Sequence, residues 1–316
     1  SGFWLLIHGR GRRLAIVGYA GTGMASLLLF FAWMFGDAAH AVISADRPDA
    51  AEAAAPAADA ADPSVLGPWR VQTFTYGSGI DRYRPEYAHE AAVRTGTVDG
   101  SALIDDWGWS RSLLWDADPS ALPLNGRVWM PYDGPDDGPY PLVLIMHGNH
   151  QMADYSDEGY AYLGELLASR GYLTVSVDAN FLNHSTWEGN LGDNGENIAI
   201  RAWLLLQHLR EIESLSQSPG NPFSGKADME RIALIGHSRG GQAAVLAAGF
   251  DDFFAGERHA GIRIGRNFGI DAVIALAPTD FPVDDRNVPA ANVHYLLLQG
   301  SNDADVTNFS GDRQFG

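Results

Sequence analysis

The sequence predicts an α/β fold in which a mostly parallel sheet is covered on both faces by helices. Two features carry that prediction. Apolar runs in the later part of the chain, such as Pro141-Leu142-Val143-Leu144-Ile145-Met146, are short and nearly continuous, as in strands buried on both faces. Helical stretches alternate with them, and that alternation builds parallel sheets. The chain has 316 residues, of which 46% are apolar, enough to bury a full core.

Strands are expected at 70–76, 93–98, 126–131, 141–147, 172–178, 231–236, 271–277 and 293–299. A helix from Tyr160 to Ser169 stops at Arg170-Gly171, a favourable C-terminal signal. From Glu196 to Ile212, the residues Ile198, Ala202, Leu205, Leu206 and Leu209 recur at helical spacing. Residues 69–124, including Trp107-Gly108-Trp109, read as an amino-terminal β-rich extension, and 125–316 as the main domain.

The amino terminus speaks about location. Leu14 to Phe35 carries no charged residue and is long enough to span a bilayer. Arg10, Arg12 and Arg13 precede it and Asp37 follows. By the positive-inside rule the arginines stay cytoplasmic and everything after residue 36 is exported. A signal peptide cleaved near Ala39-His40-Ala41 gives the same location. Residues 1–36 are therefore expected to be a membrane segment, preceded by a transmembrane region of which Phe3-Trp4-Leu5-Leu6-Ile7 is the tail. Residues 37–68, rich in Ala, Asp and Pro, lack the large apolar side chains of a core and read as a linker. The start at Ser1 points to a piece of a longer membrane protein.

Composition excludes several functions. A formal net charge of −18 argues against nucleic acid as a partner, because phosphates require a basic face. The absence of cysteine rules out disulfides, thiolate catalysis and zinc–thiolate sites. No cofactor or metal is expected. Asp303, Asp305 and Thr307 begin like a calcium loop, but Asn308 stands where glycine is needed.

The chemistry concentrates at Gly236-His237-Ser238-Arg239-Gly240. An apolar run, Arg231 to Ile235, precedes it and an alanine-rich helical stretch follows. Strand, sharp turn and helix are the context in which G-x-S-x-G is a nucleophile elbow. Ser238 is the expected nucleophile. The helix N-terminus behind it favours the negative charge of an acyl-transfer intermediate. A second turn, Met146-His147-Gly148-Asn149-His150, follows strand 141–146. It is expected to offer the Asn149 N–H to an oxyanion, with the Arg239 N–H as the second donor. His147 reads as a structural turn histidine, and His150 as a residue that either lines the pocket or sits at the surface.

The expected acid is Asp303, in the turn Gly300-Ser301-Asn302-Asp303 after strand 293–299, with Asp305 and Asp280 as alternatives. Triad order then demands a histidine after the acid. His294 is the last histidine, and only Ala304 to Gly316 follow Asp303. The chain is therefore expected to be truncated before its base. Residues 278–292 leave no room for a helical lid, so an open site is expected. The loop Asn180–Asn194 reads either as a pocket wall, with Phe181, His184 and Trp187 gripping an acyl chain, or as a surface Ω-loop packed on itself.

Taken together, the turn at 147–150, the elbow Gly236–Gly241 and the late Gly300–Asp303 resemble the α/β-hydrolase superfamily over about residues 125–316. With Pro141–His147 and the helix end Leu166–Tyr172, they look most like secreted bacterial esterases of the platelet-activating-factor acetylhydrolase, dienelactone hydrolase and cutinase-like group. The resemblance implies a two-step acyl transfer. Ser238 attacks an ester carbonyl, Asn149 and Arg239 hold the oxyanion, and Asp303 orients a histidine beyond residue 316. A non-catalytic binding domain or a serine peptidase of the same fold is the alternative.

Overall fold

The computed structural model describes residues 62–132, 138–290 and 292–315. The chain divides into two units, Ser1–Ala61 and Asp62–Gly316, so the expected membrane segment at 14–35 lies outside the described residues. Among those residues, no helix is long and apolar enough to cross a membrane.

The described residues of the second unit form ten strands: β1 (Val71–Gly77), β2 (Val93–Arg94), β3 (Thr97–Val98), β4 (Leu122–Pro123), β5 (Gly126–Pro131), β6 (Tyr140–Met146), β7 (Leu173–Val177), β8 (Ala227–His237), β9 (Ile270–Leu276) and β10 (His294–Leu298). Its α-helices are α1 (Trp109–Trp115), α2 (Ala161–Ser169), α3 (Asn194–Gln217), α4 (Arg239–Ala248) and α5 (Phe250–Phe253). Eight strands form one sheet in the order β10-β9-β8-β6-β7-β5-β1-β2. β5 runs antiparallel to both of its neighbours. The pairs from β7 through β6, β8 and β9 to β10 are all parallel.

β6 shows how sequence makes this architecture. Successive side chains of a strand point to opposite faces. Leu142, Leu144 and Met146 join the larger core with α3 and α4, while Val143 and Ile145 join a second cluster with Leu163 and Leu167 of α2. A continuous apolar run thus feeds two cores at once. Fully burying a Leu or Ile contributes roughly 1.5–3 kcal/mol.

α3 runs from Asn194 to Gln217, beyond both ends of the apolar spacing, and its earlier start is fixed by a capped N-terminus. The Asp193 Oδ1 accepts from the Glu196 N–H at 2.8 Å, and Glu196 Oε2 accepts from the Asp193 N–H at 3.1 Å. This reciprocal box satisfies two donors that a helix start leaves unpaired.

The amino-terminal part departs from expectation in two places. The run 93–98 is not one strand: β2 pairs with β1, whereas β3 pairs with β4 in a separate two-stranded sheet. Residues Trp109–Trp115 form a helix, α1, within the segment expected to be a β-rich extension. Its buried Arg111 donates to the carbonyls of Phe181, Asn183 and Gly189. Tertiary contacts to the 181–189 loop fix this short helix, and local propensity alone does not call for it.

Candidate active site

Ser238 sits between β8 and α4 with φ 54° and ψ −123°. Such positive φ is a strained conformation for a residue with a β-carbon. Three close approaches make the turn possible. A β-carbon on Gly236 would lie 2.1 Å from the Gly240 carbonyl oxygen. One on Gly240 would lie 2.2 Å from the Met146 oxygen. One on Gly148 would lie 3.0 Å from the Ser238 Cβ. The turn is tied to the next strand through the Ser238 N–H, which donates to the Leu276 carbonyl at 2.9 Å.

The 147–150 turn passes directly against the elbow, and His147 shapes it. The Ala179 N–H donates to His147 Nε2 at 3.1 Å, so the ring proton sits on Nδ1 and goes to the Gly148 carbonyl at 2.7 Å. Burial and the nearby Arg201 charge push this imidazole from 6.5 down to about 3. It is a neutral structural residue and not a base.

Arg201 of α3 was not singled out by the sequence. It is fully buried and donates to Asn197 Oδ1 at 2.8 Å, to Asn183 Oδ1 at 2.7 Å and to the His147 carbonyl at 3.4 Å. Burial, with the charges of Arg239 and Arg111, lowers its pKa to about 9. A buried guanidinium held by neutral acceptors is expensive. Here it clamps the turn that carries Asn149.

Asn149, Ser238 and Arg239 line one cavity of about 340 Å³, together with Thr279, Asp280, Phe281 and residues 305–308. Among the described residues, the backbone N–H groups of Asn149 and Arg239 have no hydrogen-bond acceptor. The Arg239 side chain turns away to Asn194 Oδ1 at 2.7 Å and lies over the Phe281 ring.

Asp303 follows β10 on the same sheet edge. Its Oδ1 accepts from the Asp305 and Val306 N–H groups, both at 2.9 Å, and Oδ2 accepts from Gln299 Nε2 at 3.2 Å. Those two backbone donors hold the carboxyl below the usual range. Its charge reaches His237, whose pKa burial and His150 lower and Asp303 and Asp305 raise in part. Asp305 lines the cavity and is exposed. The Asp280 side chain is 1% exposed and ion-paired with Arg313 at 2.7 Å. Among the described residues no imidazole hydrogen-bonds the Ser238 hydroxyl.

His150 stacks on His237, ring centroids 6.1 Å apart, and lines a second cavity rather than that of Asn149. Two expectations for the 180–194 loop fail. Phe181 has no exposed surface and belongs to the main core, so it cannot grip a substrate. Trp187 is not brought to either cavity beside Ser238. It is 72% exposed, with its ring edge against Trp109 at 6.2 Å.

Gln242 was also missed. Buried in α4, it donates to the Phe281 carbonyl at 2.6 Å and accepts from Thr279 Oγ1 and the Phe281 N–H, both at 2.9 Å. It holds the 279–281 wall of the cavity. Its place one turn after the nucleophile was the signal available in the sequence. Among the described residues no group of three or more His, Cys, Asp or Glu side chains could hold a metal.

A strained serine at a strand-to-helix elbow, on a mostly parallel sheet with helices on both faces, defines an α/β hydrolase. The chain matches the chlorophyllase family model over residues 119–278, half its length, and belongs to that family. It is similar to dipeptidyl aminopeptidase BIII of Pseudoxanthomonas mexicana, 31% identical over 124 residues that cover 39% of this chain and 16% of that protein. It is also similar to chlorophyllase type 0 of Chenopodium album, 26% identical over 153 residues, 48% of this chain and 38% of the relative. The chain spans well under half the length of either curated relative.

Proposed function

We propose that this chain is the core of a serine hydrolase that cleaves carboxylic esters through an acyl-enzyme on Ser238. The observation that carries the reading is the strained Ser238 backbone beside two unpartnered N–H groups, those of Asn149 and Arg239, on one cavity. Ser238 Oγ adds to the ester carbonyl as a base takes its proton, and that proton passes to the alkoxide, which leaves as the alcohol. Water then attacks the acyl carbonyl and releases the acid, restoring the serine. The two N–H groups stabilise the oxyanion of each addition, and losing one such donor typically costs about 2.7–4 kcal/mol. Asp303, fixed by its loop, is the acid that orients the base. His150 contributes to substrate binding. The apolar segment at 14–35 would anchor the domain outside the cytoplasm. Substrates reach the site from an open side, since the described residues between β9 and β10 include no helix.

A peptidase reading has one specific support, the similarity to a dipeptidyl aminopeptidase. The test is hydrolysis of p-nitrophenyl butyrate and of an aminoacyl p-nitroanilide by the full-length protein, with Ser238→Ala as control. Ester turnover lost in the variant supports the proposal. Turnover of the anilide alone replaces ester with amide as the substrate bond. No turnover of either overturns the hydrolase reading.

A further inference from the structure

The residues on either side of the catalytic contact diverge. Asn149 and Arg239 face the cavity that holds Ser238. His150, next to Asn149 in the chain, and His237, next to Ser238, line a second cavity of about 460 Å³, with Tyr155, Tyr160, Tyr162 and Leu276. The two cavities therefore flank one point, the approach of Gly148 to Ser238. A β-carbon on Gly148 would also lie 3.1 Å from His237 Nδ1, so this turn packs against both Ser238 and His237. An ester whose carbonyl carbon meets Ser238 has two substituents to place, and the protein provides two adjoining spaces.

The second space is lined by rings. The imidazoles of His150 and His237 are stacked with an interplanar angle of 25°. Tyr155 is held from behind by the Arg84 guanidinium, 4.6 Å from its ring centroid. Tyr162 is 68% exposed. Rings of this kind attract another ring through offset or edge contacts beyond simple area burial.

The turn that carries these tyrosines is anchored at unusual cost. Asp157, between Tyr155 and Tyr160, has no exposed surface. It accepts from Arg84 Nη1 at 3.0 Å, from Asn180 Nδ2 at 2.8 Å and from the Tyr87 hydroxyl. The Ser156 N–H donates to Asn180 Oδ1 at 3.0 Å. Arg84 is itself 2% exposed and also pairs with Asp81 and Asp178. Burying such a cluster gains little stability over an apolar core. What it does secure is a fixed position for Tyr155 and Tyr160 beside the elbow.

We propose that this second cavity is the subsite for an aromatic ring carried by the ester, and that Tyr155 and Tyr162 are specificity-determining residues. This rests on the serine esterase reading above. The ring can belong to the acid or to the alcohol, and the experiment distinguishes them. Hydrolysis of ethyl propanoate, ethyl octanoate, ethyl hydrocinnamate and phenethyl propanoate would be followed by pH-stat with the full-length protein, its Tyr162→Ala and Tyr162→Phe variants, and Tyr155→Ala.

The expected result is a kcat/KM for one aromatic ester that falls about fivefold to tenfold relative to ethyl propanoate in Tyr162→Ala, with recovery in Tyr162→Phe. Loss on ethyl hydrocinnamate places the acyl side in this cavity, and loss on phenethyl propanoate places the alcohol side there. Equal loss on ethyl octanoate, or equal change on all four esters, overturns the proposal while leaving the esterase reading intact. No turnover of any ester by the parent protein overturns both.

Discussion

Gly148 and Ser238 approach so closely that a β-carbon on Gly148 would meet the Ser238 Cβ at 3.0 Å and His237 Nδ1 at 3.1 Å. At 148 a β-carbon would be crowded enough to demand a shift of a few tenths of an ångström from its neighbours, while the backbone dihedrals do not call for glycine. Gly148→Ala is expected to push the 147–150 turn away from the elbow and separate the Asn149 N–H from Ser238. Overpacking of this kind typically costs about 1–3 kcal/mol. The expected outcome is a loss of kcat/KM of tenfold or more, on the scale of a displaced oxyanion donor. Steady-state kinetics beside urea denaturation check it. A variant that loses stability but keeps full activity would show that the turn does not position the donor.

Ser238 itself holds strain. Its φ of 54° suits glycine far better than serine. Ser238→Gly is expected to abolish turnover and yet raise the stability of the folded protein by roughly 1 kcal/mol, relief of strain being partly offset by greater unfolded-state freedom. Ser238→Ala keeps the β-carbon and so is expected to be inactive without that gain. Urea midpoints for the two variants decide the matter, and equal midpoints would remove strain from the account.

Arg201 separates structural support from catalysis. Arg201→Met preserves much of the side-chain volume but leaves the Asn183 and Asn197 side chains and the His147 carbonyl without their donor. Leaving buried polar groups unsatisfied costs about 1–3 kcal/mol each. The variant is expected to fold with reduced stability and with kcat lowered more than KM is raised, because the turn carrying Asn149 loosens. A KM effect alone would assign Arg201 to substrate binding instead.

The buried histidines set the acid limit of the fold. His147 and His208 are both pushed by burial from 6.5 down to about 3. Each is neutral when folded. In the unfolded chain each takes up a proton below 6.5, so unfolding gains protons as pH falls. Their contribution is complete above 6.5 and is lost progressively as pH drops toward about 3. Unfolding free energy measured from pH 8 to 4 is expected to decline below 6.5. Replacing His208 with Gln is expected to remove about one proton from the uptake on unfolding near pH 5. An unchanged slope would mean that His208 titrates normally in the folded state.

Much of the site was readable before any coordinates. Ser238 lies in a local pattern, and the elbow needs only strand, two small residues and helix in succession. β6 was readable because its apolar run has no alternation and therefore has two buried faces. The ends of α3 were less legible, since the cap at Asp193 uses a side chain outside the apolar repeat. α1 was not legible at all. Its position depends on Arg111 reaching carbonyls seventy or more residues away.

The layered α/β fold and the elbow at Ser238 were legible in the sequence, because periodicity and turn chemistry are written in adjacent residues. Tertiary structure alone decided that Phe181 is core, that Arg201 and Gln242 brace the site, and that His150 turns from Asn149's cavity to that of His237. These depend on which distant segments meet, and on the cost of burying a polar group without a partner. A one-dimensional pattern records neither.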